Sequence, residues 1–475
     1  MQGTKQIPRK ESGMHILSIV FSTLFIFSCK THSSQNLESN LDSTYTANHT
    51  AKMTYVRLCN APTDCIRVSK LVMGTDHLAQ ADWVYEGQPE INDEKLYKIL
   101  DEAAKLGINF FDTSSIYVGG IENRLGNWIE SRKEMIKSDS FYYDPDANPD
   151  RKLYVISKGG FPFDLFYRKS LPAGNHSGTF LSTLRSKNIL ASQNPDGSAE
   201  LKNVPPGTYA SRLYGSKADI TESLTAELKH PLNNLAPNGI AIYLMHRDDG
   251  DYLDFNEVPR QKTPVETIME AINSDAFSGR FWGYGWSNWR TPRIDESINI
   301  ASQKPSLKRP LINSPYFSLF EMTDRTIHAG GVQVTHTEMM DPSFQKGIYI
   351  MPYSPLGGFS ILDKPEPKWE NGKASAKKKF ENADPYWKNV YPSIFTEANK
   401  ERFERAKAFT KTLNERTGKS YTVDQVLNAY ALAHPRTDLL AVGPITTAQL
   451  KRTVGSLKVA KMLTASDLEM LYGDK

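Results

Sequence analysis

The sequence of 475 residues predicts an α/β protein, a (β/α)8 TIM barrel with long insertions after strands three and seven. Eight short β-type runs alternate with amphipathic helical runs, which is typical of parallel βαβ units. Eight such units over roughly 250 residues or more favour a barrel over a doubly wound sheet. No G-x-G-x-x-G follows the first strand, which weakens the alternative of a doubly wound Rossmann fold.

Each predicted strand is a short apolar run that ends near a glycine or a polar residue. The eight runs are Lys70–Gly74, Ile108–Asp112, Leu153–Lys158, Ile240–His246, Phe281–Ser287, Pro310–Asn313, Ile348–Tyr353 and Leu439–Gly443. After the first strand, Asn92 can cap a helix whose apolar residues recur at helical spacing until Gly107. Another helical run follows Asp219.

Two connections are much longer than the usual ~2–6 residues. One runs from Gly159 to about Ala218, and the other from Pro355 to about Glu397. Both leave the carboxyl ends of strands, where barrel active sites lie. They are either aromatic flaps around a substrate pocket or decoration on the barrel rim, and both interpretations stay open. Their aromatic residues are Phe161, Phe163, Phe166, Tyr167, Tyr214, Trp369, Tyr386, Trp387 and Tyr391.

The N-terminus has the layout of an export signal. Basic residues precede an apolar run at 16–27, and Ser28-Cys29 follow. The run is shorter than the ~20 residues of a spanning helix. The tetrapeptide at 26–29 resembles a bacterial lipoprotein signal, although Phe27 departs from its usual small residue. We therefore expect a signal at 1–29, a flexible tether at 30–50 and the barrel at 51–475. The alternatives are an uncleaved anchor or a misassigned start, and the latter leaves the protein cytoplasmic.

Composition excludes several classes of protein. With 57 basic and 54 acidic residues, nothing marks a nucleic-acid or polybasic membrane surface, so membrane contact is expected only through a lipid on Cys29. Three cysteines exclude a disulfide scaffold or a cysteine-rich metal site. No H-E-x-x-H occurs, so metal-dependent hydrolysis is not expected. Cys59 and Cys65 flank a turn-rich spacer in a predicted hairpin, either as a cross-strand disulfide or as two half-buried thiols.

Three successive strands deliver an ionisable side chain where each apolar run stops. These are Asp112, Lys158 and His246, with Tyr117 five residues beyond the first. A lysine ammonium ~4 Å from a tyrosine favours the phenolate by up to ~4 kcal/mol, or ~3 pKa units. Such a shift predicts a Tyr117 pKa near neutrality, where general acid catalysis is efficient. The group would protonate a carbonyl oxygen, and since no side chain supplies hydride, a nicotinamide cofactor is implied.

With these residues in order, the sequence resembles the aldo-keto reductase family. The segments FFDTSSIY at 110–117, SKGG at 157–160 and LMHRDD at 244–249 look like its aspartate/tyrosine, lysine and histidine segments. The resemblance covers roughly 55–473, apart from inserts at about 160–210 and 361–395. It implies a (β/α)8 barrel that binds NADPH and interconverts aldehydes or ketones with alcohols.

The resemblance also implies the catalytic roles. Tyr117 would be the general acid, and Lys158 would lower the pKa of Tyr117. Asp112 would pair with Lys158, and His246 would orient the carbonyl.

Further segments resemble the cofactor site of the family. Ser287 and Asn288 correspond to a pair that holds the nicotinamide carboxamide, and Tyr353 to a ring that stacks on the nicotinamide. Ser314 replaces a usual glutamine. The implied cofactor-binding residues are Gly74, Thr75, Ser287, Asn288, Ser314, Tyr353, Ser354, Leu356, Gly443, Gln449 and Arg452.

Residues 442–450 resemble in outline the family segment that binds the adenine end of the cofactor. The Glu-Asn that usually follows this segment is replaced by Lys451-Arg452-Thr453. Cations suit a 2′-phosphate, so NADPH is favoured over NADH, unless both side chains merely line a solvated helix face.

Other functions stay open. The fold could serve as a cofactor-binding regulatory subunit that turns over poorly. A glycosidase is disfavoured because Asp248 and Asp249 are adjacent on one loop and do not flank a bond; capping and salt-bridging are the expected roles of this pair. The substrate is expected to be a small-molecule carbonyl or sugar-like compound, with Trp83 and Tyr85 shaping its pocket, and the aromatic residues of the long connections favour a bulky or glycosidic one. The oligomeric state is not predicted.

Overall fold

The computed structural model describes residues 51–473, apart from 79–90, 116, 118, 138–151, 161–169, 172–183, 186–187, 197, 204–212, 214–215, 237, 249–262, 324–332, 358–364 and 381–391. The predicted signal, the tether and Cys29 lie outside these residues. So do Trp83, Tyr85 and the aromatic residues of the two long connections other than Trp369. Within the described part of the chain, no helix combines the length and hydropathy needed to span a bilayer.

The described chain begins with an antiparallel hairpin of β1 (Tyr55–Ala61) and β2 (Asp64–Ser69). Cys59 lies opposite Cys65, and the two are joined by a disulfide, which is one of the two alternatives left open by the sequence. Leu58 and Val68, both fully buried, pack against the apolar residues inside the main sheet. The hairpin therefore covers one end of that sheet.

Eight parallel strands form the main sheet. They are β3 (Leu71–Gly74), β4 (Phe110–Asp112), β5 (Tyr154–Gly159), β9 (Ile240–Met245), β10 (Phe281–Ser287), β11 (Ile312–Ser314), β12 (Tyr349–Ile350) and β13 (Leu440–Val442). Their order is β12-β11-β10-β9-β5-β4-β3-β13. The amides of Leu439 and Ala441 also donate to the carbonyls of Ile350 and Pro352, at 3.2 and 2.8 Å. The last strand thus contacts both the first and the seventh, consistent with the predicted (β/α)8 barrel.

Helices separate the strands of the main sheet along the chain, and the last two helices follow the final strand. They are α1 (Asp93–Lys105), α2 (Ile121–Lys137), α3 (Lys217–Asn234), α4 (Val265–Ile272), α5 (Thr291–Gln303), α6 (His336–Met340), α7 (Trp369–Phe380), α8 (Glu397–Thr417), α9 (Val423–Ala433), α10 (Thr447–Ala460) and α11 (Ala465–Tyr472). As predicted, Asn92 caps α1, accepting from the amide of Lys95 at 3.0 Å.

The strands match the predicted runs but are mostly shorter. The run predicted at Ile348–Tyr353 contributes only Tyr349–Ile350 to the sheet. The sixth strand begins at Ile312, two residues after Pro310, since proline cannot donate a ladder hydrogen bond. The apolar runs of the sequence continue beyond the residues that pair in the sheet, because the ends of the strands are buried under loops and helices.

The first long connection contains a small antiparallel sheet of β6 (Ser170–Leu171), β7 (Leu190–Gln193) and β8 (Ala199–Leu201). The second contains α7, which begins at Trp369. The Trp369 ring is 4% exposed and contacts the rings of Phe320, Phe395 and Phe403 at 5.0–5.6 Å. Trp369 is therefore a packing residue, which for this residue favours decoration on the barrel rim over an aromatic flap, the two interpretations left open by the sequence.

Candidate active site

Three neighbouring strands place the predicted catalytic side chains at the same edge of the sheet. Asp112 ends β4, and Lys158 is the fifth residue of β5. His246 directly follows β9, and its amide donates to the carbonyl of Gly159 at 2.8 Å. Because the strands are parallel and adjacent, their carboxyl ends bring these side chains together.

Lys158 is the centre of the cluster. Its Nζ donates to Asp112 Oδ1 at 2.5 Å, to Tyr117 OH at 2.8 Å and to the carbonyl of Thr113 at 3.0 Å. The three ammonium hydrogens therefore all have an acceptor. Lys158 is 3% exposed and Asp112 is 6% exposed. Such a buried ion pair requires its extra hydrogen bonds, since desolvation otherwise exceeds the Coulombic gain.

The pKa of Tyr117 differs from the sequence prediction. Burial raises this pKa well above its ordinary value, and Asp112, Asp76 and Tyr353 add to the rise, while Arg247 opposes it. This direction is opposite to the predicted approach to neutrality, because burial of the phenol, which no sequence pattern records, is the largest contribution, and Asp112 adds to it. In the structure Asp112 lies against Lys158 and cancels most of its field at the phenol. Tyr117 is consequently protonated at neutral pH.

His246 lies on the other side of the phenol. Its ring centroid is 5.9 Å from that of Tyr117, in an edge-on arrangement. Burial lowers the pKa of His246 well below its usual range, and the nearby cations Lys158 and Arg247 lower it further. The imidazole is therefore neutral. Its Nδ1 lies 3.4 Å from the Ser114 hydroxyl, and donation by that hydroxyl would leave the imidazole proton on Nε2.

Four of the predicted cofactor residues form one hydrogen-bonded group next to His246. Asn288 Nδ2 donates to the His246 carbonyl and to Ser287 Oγ, both at 3.0 Å. Tyr353 OH donates to Asn288 Oδ1 at 2.5 Å. Ser287 Oγ donates to the carbonyl of Ser314 at 3.2 Å, so Ser314 contributes its backbone here. The structure thus brings the tyrosine ring and the Ser-Asn pair beside the catalytic cluster.

The neighbouring predicted positions have backbone roles. Thr75 is buried, and its amide and hydroxyl both donate to the Asp112 carbonyl at 3.0 Å. A Cβ at Gly74 would lie 3.1 Å from the Val442 carbonyl oxygen, so glycine permits the close approach of β3 to β13. Ser354 has a positive φ of 57°, and the half-buried Leu356 packs against the core.

Of the residues predicted to lie at the adenine end of the cofactor, some fix the backbone before α10 and others form ion pairs. Gly443 lies before α10, and Gln449 Oε1 accepts from the amide of Ile445 at 2.9 Å, which fixes the loop entering that helix. Arg452 is 4% exposed and its Nε donates to Asp424 Oδ2 at 2.8 Å. The guanidinium of Arg452 therefore neutralises a buried carboxylate. Lys451, half of whose side chain is buried, pairs with Glu102 at 3.2 Å.

The residues around the catalytic cluster, at the carboxyl edge of the sheet, fit a nicotinamide group. The buried atoms Asp112 Oδ2, Thr113 Oγ1 and Ser115 Oγ have no hydrogen-bond partner among the described residues. Buried polar atoms without partners are costly, so such atoms mark a place where a polar ligand binds. The Ser287 hydroxyl and the Asn288 amide could pair with a carboxamide in exchange for their present contacts with Ser314 and Tyr353, and the Tyr353 ring offers a flat face.

Three residues that the sequence analysis did not single out belong to the site. Ser114 contacts His246 as described, and Asp76 and Arg247 influence the pKa values of Tyr117 and Tyr353. Arg247 also hydrogen-bonds Tyr353 across the mouth. Ser114 could have been identified from the sequence, because it lies two residues after Asp112, and side chains two apart in an extended chain point to the same side. Arg247 was not, since its contact is with Tyr353, a residue more than 100 positions away in the chain.

The acidic pair of the glycosidase alternative is not arranged for catalysis. Asp248 is fully buried and pairs with Arg293 at 2.8 Å, the salt-bridging role expected for it. Asp249 lies outside the described residues. In the described ranges, no group of three or more His, Cys, Asp or Glu residues could hold a metal ion.

The described chain combines an eight-stranded parallel α/β sheet with a lysine, an aspartate, a histidine and a half-buried tyrosine at its carboxyl edge, an arrangement typical of oxidoreductases of the barrel class. Residues 70–472 match the model of the aldo/keto reductase family, and the chain belongs to that family. It is 21% identical over 403 residues to an "Uncharacterized oxidoreductase YrpG" of Bacillus subtilis (strain 168), covering 83% of this chain and 89% of the relative. It is 35% identical over 118 residues to "Aryl-alcohol dehydrogenase GME11368" of Pestalotiopsis microspora, covering 24% of this chain and 30% of the relative.

Proposed function

We propose that this protein is a reductase that uses NADPH to convert an aldehyde or ketone to an alcohol, reversibly. The contact of Lys158 Nζ with both Tyr117 OH and Asp112 in a buried cluster carries the proposal. When bound, the cofactor supplies hydride to the carbonyl carbon. The residues of this chain bind the carbonyl oxygen and deliver the proton.

The carbonyl oxygen would accept hydrogen bonds from Tyr117 OH and from a neutral His246 carrying its proton on Nε2. As negative charge develops on that oxygen, Tyr117 donates its proton. The resulting phenolate lies 2.8 Å from the Lys158 ammonium, which stabilises it. A raised resting pKa keeps Tyr117 protonated until this point, and the charge of Lys158 acts when the phenolate forms.

The preference for NADPH rests on Lys451, the more exposed of the two cations at the start of α10. Its pairing with Glu102 is at the surface, where exchange with a 2′-phosphate costs little. A Lys451→Met variant should lose discrimination between NADPH and NADH. Equal loss of affinity for both cofactors would contradict this assignment.

The substrate class is open to direct test. The relative named as an aryl-alcohol dehydrogenase makes aromatic aldehydes a reasonable first panel, beside bulky or sugar-like carbonyl compounds. We also propose export and lipid attachment at Cys29, on the sequence of residues 1–29 alone. Metabolic labelling with palmitate, lost in a Cys29→Ser variant, would support this localisation; an unlabelled wild type would contradict it.

The deciding experiment is fluorescence titration of the full-length protein with NADPH, followed by carbonyl-dependent NADPH oxidation. Wild type and Tyr117→Phe are compared. Binding in both, with turnover lost only in Tyr117→Phe, supports the reductase with Tyr117 as the acid. Binding without turnover on any carbonyl favours the alternative, a cofactor-binding regulatory subunit of the same fold. Absence of binding removes the proposal.

A further inference from the structure

A second cavity lies at the opposite edge of the main sheet, away from the catalytic cluster. It has a volume of ≈ 680 Å³, and residues at the amino ends of β5, β9 and β10 line it together with the hairpin. The catalytic residues follow the carboxyl ends of the same strands. A strand of six residues such as β9 spans about 20 Å, so the two sites are separated by about the length of a strand.

Positive charge dominates this cavity. Four cations line it, Lys152, Arg280, Lys308 and Arg309, against a single carboxylate, Asp64. Among the described residues, no ion pair involves Arg280, Lys308 or Arg309. The Asp64 carboxylate instead accepts hydrogen bonds from uncharged donors.

The hairpin fixes the acidic and aromatic side of the cavity. Asp64 Oδ1 accepts from the indole of Trp282 at 2.7 Å, and Asp64 Oδ2 accepts from the amide of Asn60 at 3.3 Å. Asn60 also donates to the Trp282 carbonyl at 2.9 Å. These contacts hold the half-buried indole in one orientation. A flat, rigid apolar surface is therefore available beside the cations.

One of the cations is held in place by neutral groups. Arg309 donates to the carbonyls of Gly347 and Cys59, at 3.0 and 2.9 Å. Neither partner compensates its charge, so the guanidinium is oriented but remains attractive to an anion. A Cβ added at either of two lining glycines, Gly239 or Gly279, would meet no atom within 4 Å.

We propose that this cavity is a second binding site, for a small organic anion with a flat apolar body, such as an aryl phosphate. The volume lies in the range of small-molecule pockets, ~300–1,000 Å³. The cations would bind the anionic group, and the Trp282 ring would contact the flat body. The site does not depend on the proposed reductase activity, since it shares no residue with the catalytic cluster.

Isothermal titration calorimetry of the full-length protein with phenyl phosphate tests the proposal. The test variant is Arg280→Ala/Lys308→Ala, which removes two exposed charges with no ion pair among the described residues. The matched control is Lys98→Ala/Lys229→Ala, which removes two exposed charges from α1 and α3. We expect saturable binding to the wild type and the control, and a roughly ten-fold weaker affinity in the test variant.

Two further probes separate the parts of the proposed ligand. Phenol lacks the charge and inorganic phosphate lacks the flat body, so each should bind at least several-fold more weakly than phenyl phosphate. Wild-type affinity in the test variant, equal losses in test and control variants, or no saturable heat with phenyl phosphate would each overturn the site. Phenol or inorganic phosphate binding as tightly as phenyl phosphate would overturn the ligand class.

Discussion

Replacement of Lys158 by methionine tests the electrostatic core of the site. Methionine nearly preserves the volume of the side chain, so a large cavity is not expected. The change removes the donor to Asp112, Tyr117 and the Thr113 carbonyl. Burial already raises the pKa of Asp112, and without its cation this buried carboxyl should become neutral. The variant therefore loses both charges of the pair.

The magnitude follows from the distances. At an effective dielectric of ~20, an ammonium 2.8 Å from the phenol oxygen favours the phenolate by ~6 kcal/mol. Asp112 Oδ1 accepts from the same tetrahedral ammonium, which puts it ~4 Å from the phenol oxygen, so its charge opposes this by ~4 kcal/mol. The difference, ~2 kcal/mol, is the stabilisation that the pair gives to a forming phenolate. Its loss corresponds to a fall of roughly thirty-fold in kcat/KM.

The assay is kcat/KM for NADPH-dependent reduction of an aromatic aldehyde at pH 7, with the NADPH affinity of each variant measured in parallel. Lys158→Arg, which keeps a cation, should recover part of the lost rate. Lys411→Met, at an 81% exposed position, is the control and should behave as wild type. A Lys158→Met enzyme within three-fold of wild type, while Tyr117→Phe is inactive, would refute the reasoning.

Three more predictions follow from other contacts. Replacing Cys59 and Cys65 together by serine should lower the free energy of unfolding by about 2 kcal/mol, since the disulfide closes only a short loop; a calorimetric Tm equal to that of reduced wild type is the check. Arg452→Met should lower the free energy of unfolding by roughly 3–5 kcal/mol, because Asp424 stays buried without its cation. The folded variant should keep its NADPH affinity. An unchanged Tm together with weakened NADPH binding would instead make Arg452 a phosphate ligand. Since burial and nearby cations lower the pKa of His246, kcat/KM should stay flat from pH 8 down to about 5.5, and a fall near pH 6.5 would contradict a neutral imidazole.

Much of the fold was predictable because its signals are local. Apolar runs of strand length, alternating with helical periodicity and capped by residues such as Asn92, fix the type and order of the elements. The cross-strand pairing of Cys59 with Cys65 follows from a short turn between two β-type runs. The sequence could not choose between a disulfide and two thiols there, since spacing alone does not determine the distance between two sulfurs.

The sequence by itself determined which side chains lie at the catalytic edge, because parallel strands must end their apolar runs at the same side. Tertiary structure decided what those side chains do to one another. The pKa of Tyr117 depends on burial and on the contact between Asp112 and Lys158, and Arg452 turned out to neutralise the buried Asp424. Trp369, for which the sequence left a flap and rim packing equally open, lies in an aromatic core. Charges and packing act through space at a few ångströms, so residues far apart in the chain set them, and no local pattern records those distances.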